Sequence, residues 1–361
     1  MWIVSRQAPA PRLASLDALR GFSMFWIVGA DGLARSLREF SGSGLAAGIA
    51  GQFDHSAFEG FTFFDLIFPL FLFMMGVSMV YSFDKVPPSE GNAAVSWRIA
   101  RRAALLFLLG MFADGGLAAE RGENILCGVL QRLALCYFFS GLLYRFLRPR
   151  ALLGVLAAIL AGYWVWVDLI PIPGVGRVLT EDMNWCKFID ELAPPYYQGD
   201  AEGWLSTLSA VASCLLGVFA GKALQGQGRG ERKVLWLAGT GVLLLAAGLL
   251  WGLEFPVIKR LWTSSYVLVA GGLSFILLGL FYWLVEIRGW TVWAEPFVWV
   301  GLNPLAVYVG SDLLGFHGIA ERFCAGMLQD PWGGALVAAV SLGLIFLAAR
   351  FLHQRGIYLR V

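Results

Sequence analysis

The side chains best suited to chemistry in this chain are few, and a largely apolar sequence surrounds them. His55 stands ten residues before Asp65, and Asp31 lies upstream in another apolar run. An imidazole titrates near neutrality and becomes an effective base when a carboxylate orients one ring nitrogen. His55 with Asp31 or Asp65 is therefore a candidate acid–base group. Gln131 and Arg132 interrupt a further apolar run, and Asn303 precedes Pro304 in another. The residues alone also allow plainer readings. His55 can be an ordinary exposed loop histidine, and Asp65 with Arg132 an ion pair between helices. Asp17 and Arg20 can cap and anchor a first helix, and Asn303 can satisfy backbone freed by Pro304. The cluster Arg98, Arg101 and Arg102 reads first as cytoplasmic anchor charge and second as a grip for phosphate.

The elements that must hold these groups are membrane helices. Of 361 residues, 58% are apolar and 14% charged, with a mean hydropathy of +0.69. Soluble domains carry about 25% charged residues, so lipid must cover most of the outside. The 15 Trp suit membrane interfaces and the 44 Gly suit close helix packing. Apolar runs at 16–34, 61–83, 98–114, 124–144, 151–170, 205–224, 233–252, 263–285, 292–314 and 334–353 each approach the length that crosses a bilayer. The expected fold class is all-α, a polytopic integral membrane helix bundle of about ten transmembrane helices. With no repeat and no low-complexity linker, residues 1–361 read as a single domain. The first run has no small-residue cleavage site after it and reads as a retained helix.

Basic residues give the orientation. Only Arg35, Arg38, Arg121, Arg177, Lys187, Lys259, Arg260 and Arg322 fall in outer segments if the N-terminus is inside; 18 of the 27 fall in inner ones. Positive residues favour the cytoplasmic side, so both termini are expected there, in a cytoplasmic (inner) membrane. That topology puts Asp31, Asp65 and Arg132 in the outer part of the bilayer, where charge is costly and usually functional. His55 falls in the first outer loop. A net charge of +2 gives no support for a nucleic-acid partner. The five cysteines show no paired spacing and no metal is expected, although Cys186 and Cys324 share the outer side, which leaves a disulfide open. Composition and spacing alone leave a polytopic membrane protein, transporter or enzyme.

The motifs narrow this. Ser15-Leu16-Asp17-Ala18-Leu19-Arg20-Gly21 resembles the opening shared by several membrane acyltransferase groups. His55-Ser56-Ala57-Phe58-Glu59-Gly60, then Asp65-Leu66-Ile67-Phe68-Pro69 and Gly76-Val77-Ser78, resembles the signature of the heparan-α-glucosaminide N-acetyltransferase family. Gly128 to Arg132, Glu202 to Thr207, Lys259 to Tyr266 and Gly301-Leu302-Asn303 continue the match in order. The chain lacks the luminal N-terminal domain of animal members, so it looks like a bacterial relative.

The resemblance implies transfer of acetyl from cytosolic acetyl-CoA to the amine of an amino sugar or glycan on the far side of the lipid bilayer. His55 matches the family's catalytic histidine, as general base or as acetyl carrier. Asp31 or Asp65 would orient it. Arg132, Asn303 and Trp262 would contact substrate or oxyanion, and Arg20, Arg98, Arg101 and Arg102 the phosphates of CoA. Asp31 stands where animal members carry Asn, Phe58 replaces Trp, and Ile258 stands where Asn often precedes the Lys, which leaves the acceptor open. An O-acyltransferase, and a transporter of sugars or cell-wall precursors on the same scaffold, stay open as alternatives, as does a homodimer.

Overall fold

Six helices among the described residues are long and apolar enough to cross a membrane: Phe63–Phe83, Pro149–Leu169, Ser206–Gln225, Gly230–Trp251, Ser264–Ile287 and Gly333–Gln354. The computed structural model describes residues 3–5, 13–34, 36, 44–83, 91–114, 126, 128–192, 203–327 and 332–360. Within them the chain is all-α apart from two short strands, β1 (Ile3–Ser5) and β2 (Tyr358–Arg360). The helices are α1 (Ala14–Phe25), α2 (Gly44–Gly51), α3 (Phe63–Phe83), α4 (Asn92–Ala113), α5 (Val129–Phe146), α6 (Pro149–Trp164) and α7 (Trp185–Leu192). They continue as α8 (Ser206–Gln225), α9 (Gly230–Trp251), α10 (Ser264–Tyr282), α11 (Glu295–Leu302), α12 (Pro304–Leu314), α13 (Phe316–Phe323) and α14 (Gly333–Gln354).

Lipid gives helices no hydrophobic reason to associate, so close backbone packing must do it. Glycines mark where that happens. Gly76 on α3 lies against Cys214 and Val218 of α8, and Gly217 of α8 lies against the backbone of Phe73. These two helices run parallel, as the alternation of spans requires. On α9 and α10, Gly241 meets Gly272 and Ile276 while Gly248 meets Ser265 and Val269, so this pair is antiparallel. Around these seams a single apolar core joins Leu19, Phe73, Leu133, Leu156, Leu215, Trp262 and Phe275.

The other runs depart from uninterrupted spans, each for a visible reason. The first passes from α1 into a π-helical turn, Trp26–Ala30, where Gly29 takes a φ of 129° that side-chain-bearing residues rarely adopt. The third starts at Asn92, earlier than its apolar stretch, and keeps Arg98, Arg101 and Arg102 exposed. The fourth begins only at Val129, which puts Arg132 in the first turn of α5 instead of within a span that starts at 124. The second long connection folds α7, and Cys186 and Cys324 are both buried and free, so the disulfide left open above does not form.

The run 292–314 is the clearest correction. Asn303, with φ −130° and ψ 46°, splits it into α11 and α12. Gly21 of α1 lies on Phe297 and Gly301 on Asp17, so α11 descends antiparallel to α1. A continuous ninth span would have run parallel to it. Proline at 304 supplies no N–H to continue the helix across the break.

The chain ends meet: β1 and β2 pair antiparallel, with Ile3 opposite Arg360 and Ser5 opposite Tyr358. Both termini therefore lie on one face of the bundle. A methyl added at Gly217 would overlap the Phe73 carbonyl, so Gly217→Ala must force α3 and α8 apart. We expect a lower thermal midpoint in detergent, equivalent to about 1–3 kcal/mol, with little effect from the same change at Gly239, whose Cβ would meet open space.

Candidate active site

The site starts from a proline. Pro69 lies inside α3 and has no N–H to give the carbonyl four residues back, which is that of Asp65. The Tyr266 hydroxyl of α10 donates to that orphaned carbonyl instead, at 2.7 Å. Asp65 is thereby fixed in the first turn of α3 with its carboxylate turned toward the connection at 52–62. The side chain is 0% exposed, and a carboxylate taken fully from water must be surrounded by donors.

The connection supplies them. Oδ2 of Asp65 accepts the backbone N–H of Ser56 at 3.2 Å and that of Thr62 at 3.1 Å. The Thr62 hydroxyl lies 3.1 Å from the same oxygen and 2.8 Å from the Asp54 carbonyl. Gln52 receives the first N–H groups of α3, from Phe63 on its side chain and Phe64 on its carbonyl. So the loop folds back over the helix start, and His55 reaches the remaining oxygen: Nδ1 lies 2.8 Å from Oδ1. A carboxylate oxygen can only accept, so Nδ1 carries a ring proton, and in the neutral ring Nε2 then holds the lone pair. The His55 ring rests against Phe64 at 4.8 Å, and its side chain is 50% exposed.

A third group arrives from a distant part of the sequence. Lys259 Nζ lies 3.1 Å from His55 Nδ1, 3.2 Å from Nε2 and 3.8 Å from Asp65 Oδ1. Its segment is braced from several sides. Thr263 caps α10, accepts the Ile258 N–H and donates to the Pro256 carbonyl; the Tyr163 hydroxyl donates to the Leu261 carbonyl at 2.5 Å. The Gly60 N–H donates to Val257, which ties this segment to the histidine loop. Trp262 anchors it, fully buried, in a left-handed conformation with φ 51° that is strained for a bulky residue. Its indole N–H donates to Ser213 at 3.1 Å, and its ring meets Phe68 and Tyr266 edge-on.

The structure thus unites His55 with Asp65 and sorts the other expected residues elsewhere. Among the described residues the polar partners of His55 are Asp65 and Lys259, so Asp31, half-buried just after the π turn, is not the carboxylate that orients it. Arg132 forms no ion pair with Asp65. Its guanidinium donates to the Gly203 carbonyl at 3.0 Å and lies over the Trp262 ring at 5.5 Å. Asn303 spends both ends of its amide on the C-terminal segment, donating to the Ile357 carbonyl and accepting the Leu359 N–H. That serves the terminal strands instead of an oxyanion. Arg20 is likewise committed, to Asp17 at 2.9 Å, the Gly301 carbonyl at 3.0 Å and Ser78 at 2.7 Å, so it fastens α1 to α3 and α11 and has little left for phosphate. Arg98, Arg101 and Arg102 remain exposed on α4, with Arg102 over the Tyr137 ring. No metal-holding group of three or more His, Cys, Asp or Glu exists among the described residues.

Lys259 was absent from the expected site because 204 residues separate it from His55 and it counted among outer basic residues. Its place inside the Lys259 to Tyr266 motif was the one available signal. Removing the carboxylate should show how much the loop depends on it. In Asp65→Ala the Ser56 and Thr62 N–H groups lose their buried acceptor, at a cost of about 1–3 kcal/mol. Hydrogen exchange of the amides at 55–62 should speed up, while exchange in α9 stays unchanged.

Comparison with known proteins agrees with this geometry. The family described as "Heparan-alpha-glucosaminide N-acetyltransferase, catalytic" matches residues 12–249, a stretch that includes both His55 and Asp65. Heparan-alpha-glucosaminide N-acetyltransferase of Homo sapiens is 27% identical over 84% of this chain and 53% of its own length. The Mus musculus protein of that name is 26% identical over 86% of this chain and 55% of its own length. The chain spans about half the length of the curated relatives it matches. With two thirds of its residues inside the matched region and the His–Asp pair assembled there, the chain belongs to the heparan-α-glucosaminide N-acetyltransferase catalytic family.

Proposed function

We propose that the protein is a membrane acetyltransferase that moves acetyl from cytosolic acetyl-CoA to the amine of an amino sugar on the extracytoplasmic side. The observation that carries this is the 2.8 Å contact between His55 Nδ1 and the buried carboxylate of Asp65. Asp65 fixes the tautomer, so Nε2 presents its lone pair on the open half of the ring. An acceptor amine attacking the thioester carbon must shed one proton, and Nε2 takes it. The proton-bearing imidazolium then faces a carboxylate that is already in place, so no groups need to reorganise. Collapse of the tetrahedral adduct expels the CoA thiolate, which is reprotonated, leaving the acetamide and free CoA.

The donor's nucleotide end would meet Arg98, Arg101 and Arg102, which are exposed along α4. Placement of acetyl-CoA on the cytoplasmic side, and in an inner membrane with both termini cytoplasmic, rests on the excess of basic residues in the terminal-side segments. Asp31 in place of the family's Asn bears on which amino sugar is taken.

Purified full-length protein incubated with acetyl-radiolabelled acetyl-CoA and a panel of amino sugars should label a sugar. His55→Ala should reduce that transfer by about 10²–10⁴-fold in protein that still folds and elutes as wild type in detergent. Label retained on the protein and chased onto sugar would identify His55 as an acetyl carrier. Unchanged transfer in folded His55→Ala would remove His55 from the mechanism.

A further inference from the structure

We infer that Lys259 is a catalytic residue, the cation that receives the charge developing on the thioester carbonyl oxygen. The inference rests on the acyl-transfer reading above and adds to it the missing electrophilic partner. Its ammonium is nearly equidistant from the two ring nitrogens of His55, 3.1 Å from Nδ1 and 3.2 Å from Nε2. A point so placed cannot lie in the ring plane, where it would run into Cε1. It stands over one face of the imidazole. Lys259 therefore leaves the in-plane lone pair of Nε2 open to the acceptor amine while holding positive charge beside the same atom.

That arrangement suits the tetrahedral adduct. The attacking nitrogen and the oxyanion are bonded to one carbon, so a base on the first requires a donor close by for the second. Lys259 offers N–H donors within about the reach an oxyanion site needs. The Lys259 side chain is only 13% exposed and Asp65 lies 3.8 Å away, so water competes weakly for the ammonium and its position is set before substrate arrives. The two residues expected to do this work, Arg132 and Asn303, are held at Gly203 with Trp262 and at the C-terminal segment. In the reaction the amine nitrogen bonds to the acetyl carbon, its proton passes to Nε2, the oxyanion rests against Lys259, and the carbon–sulfur bond breaks as the carbonyl re-forms. Lys259 keeps its protons throughout. The strained backbone at Trp262, three residues on and locked to Ser213, fits a segment whose position must not drift.

The test compares wild type, Lys259→Gln and Lys259→Arg, all full-length, in acetyl transfer from acetyl-CoA to the panel of amino sugars. Lys259→Gln should lose roughly 10²–10³-fold in kcat with the KM for acetyl-CoA changed by less than about threefold, the pattern of an interaction made only in the transition state. Lys259→Arg keeps a cation and should retain at least about a tenth of wild-type kcat. Equal kcat in Lys259→Gln and wild type, or an Arg variant as depleted as the Gln variant at an unchanged thermal midpoint, overturns the inference and leaves the acyltransferase reading standing. If Lys259→Gln does not fold, the Arg variant alone decides by the same threshold. A wild-type protein that acetylates no amino sugar in the panel overturns the underlying reading instead.

Discussion

A buried carboxylate is the constraint from which the site follows. Asp65 has no access to water, and an ionised oxygen pair in a lipid-bounded bundle is tolerable only when donors enclose it. Two backbone N–H groups, one hydroxyl, one imidazole and one ammonium do so. Each of these donors belongs to a segment that would otherwise be a loop free to wander. Satisfying Asp65 therefore orders the histidine loop and the lysine segment together, and the juxtaposition of imidazole and ammonium is a by-product of solvating one charge with protein.

The carboxylate can play this part only because α3 is itself held. Its kinship with α8 is a parallel seam at Gly76 and Gly217, where the absence of side chains lets backbones touch. Its first turn is tied to α10 by Tyr266, which answers the carbonyl that Pro69 leaves without a donor. Its far end meets Arg20 through Ser78, 13 residues from Asp65, or about 20 Å along the axis. One helix thus links the His55 end of the bundle to the knot of Arg20, Asp17 and Gly301, and beyond it to Asn303 and the paired chain termini.

How much of this could be read from the sequence depends on distance along the chain. That His55 could reach Asp65 was legible because ten residues of loop and one helical turn limit where a histidine can go. Six of the apolar runs keep the length to cross a membrane, and the two terminal strands, expected on one side, do pair. Asp31 was the plausible alternative to Asp65; spacing could not separate them, because the choice depends on which carboxylate the loop's N–H groups enclose. Asp65 and Arg132 looked like partners since both interrupt apolar runs, but Arg132 falls at a helix start with a carbonyl and an aromatic face to satisfy it. Lys259 required knowing that α3 and the start of α10 lie side by side. The run 292–314 was read as one span although it contains Asn-Pro, and neither its break at Asn303 nor the reversal of α11 against α1 was foreseen, because hydropathy records length and not direction.

That reversal has a physical logic. A helix that turns back at Asn303 leaves carbonyls at its end without intrahelical donors, and Gly301 is one of them. Arg20 donates to it, and Gly301 and Gly21 let α11 press onto α1 with no side chain between. The Asn303 amide then reaches outward from the break to take the terminal strand by both its carbonyl and its N–H. A charged residue in α1, which the family resemblance marked as a candidate for binding phosphate, is consumed in closing a helix end. Of the four arginines expected at phosphate, the three that remain exposed lie on α4, whose polar start projects beyond its apolar stretch. Three of the four arginines expected at phosphate therefore share one exposed helix face, while the buried charge at the start of α3 is committed to holding a single imidazole in place.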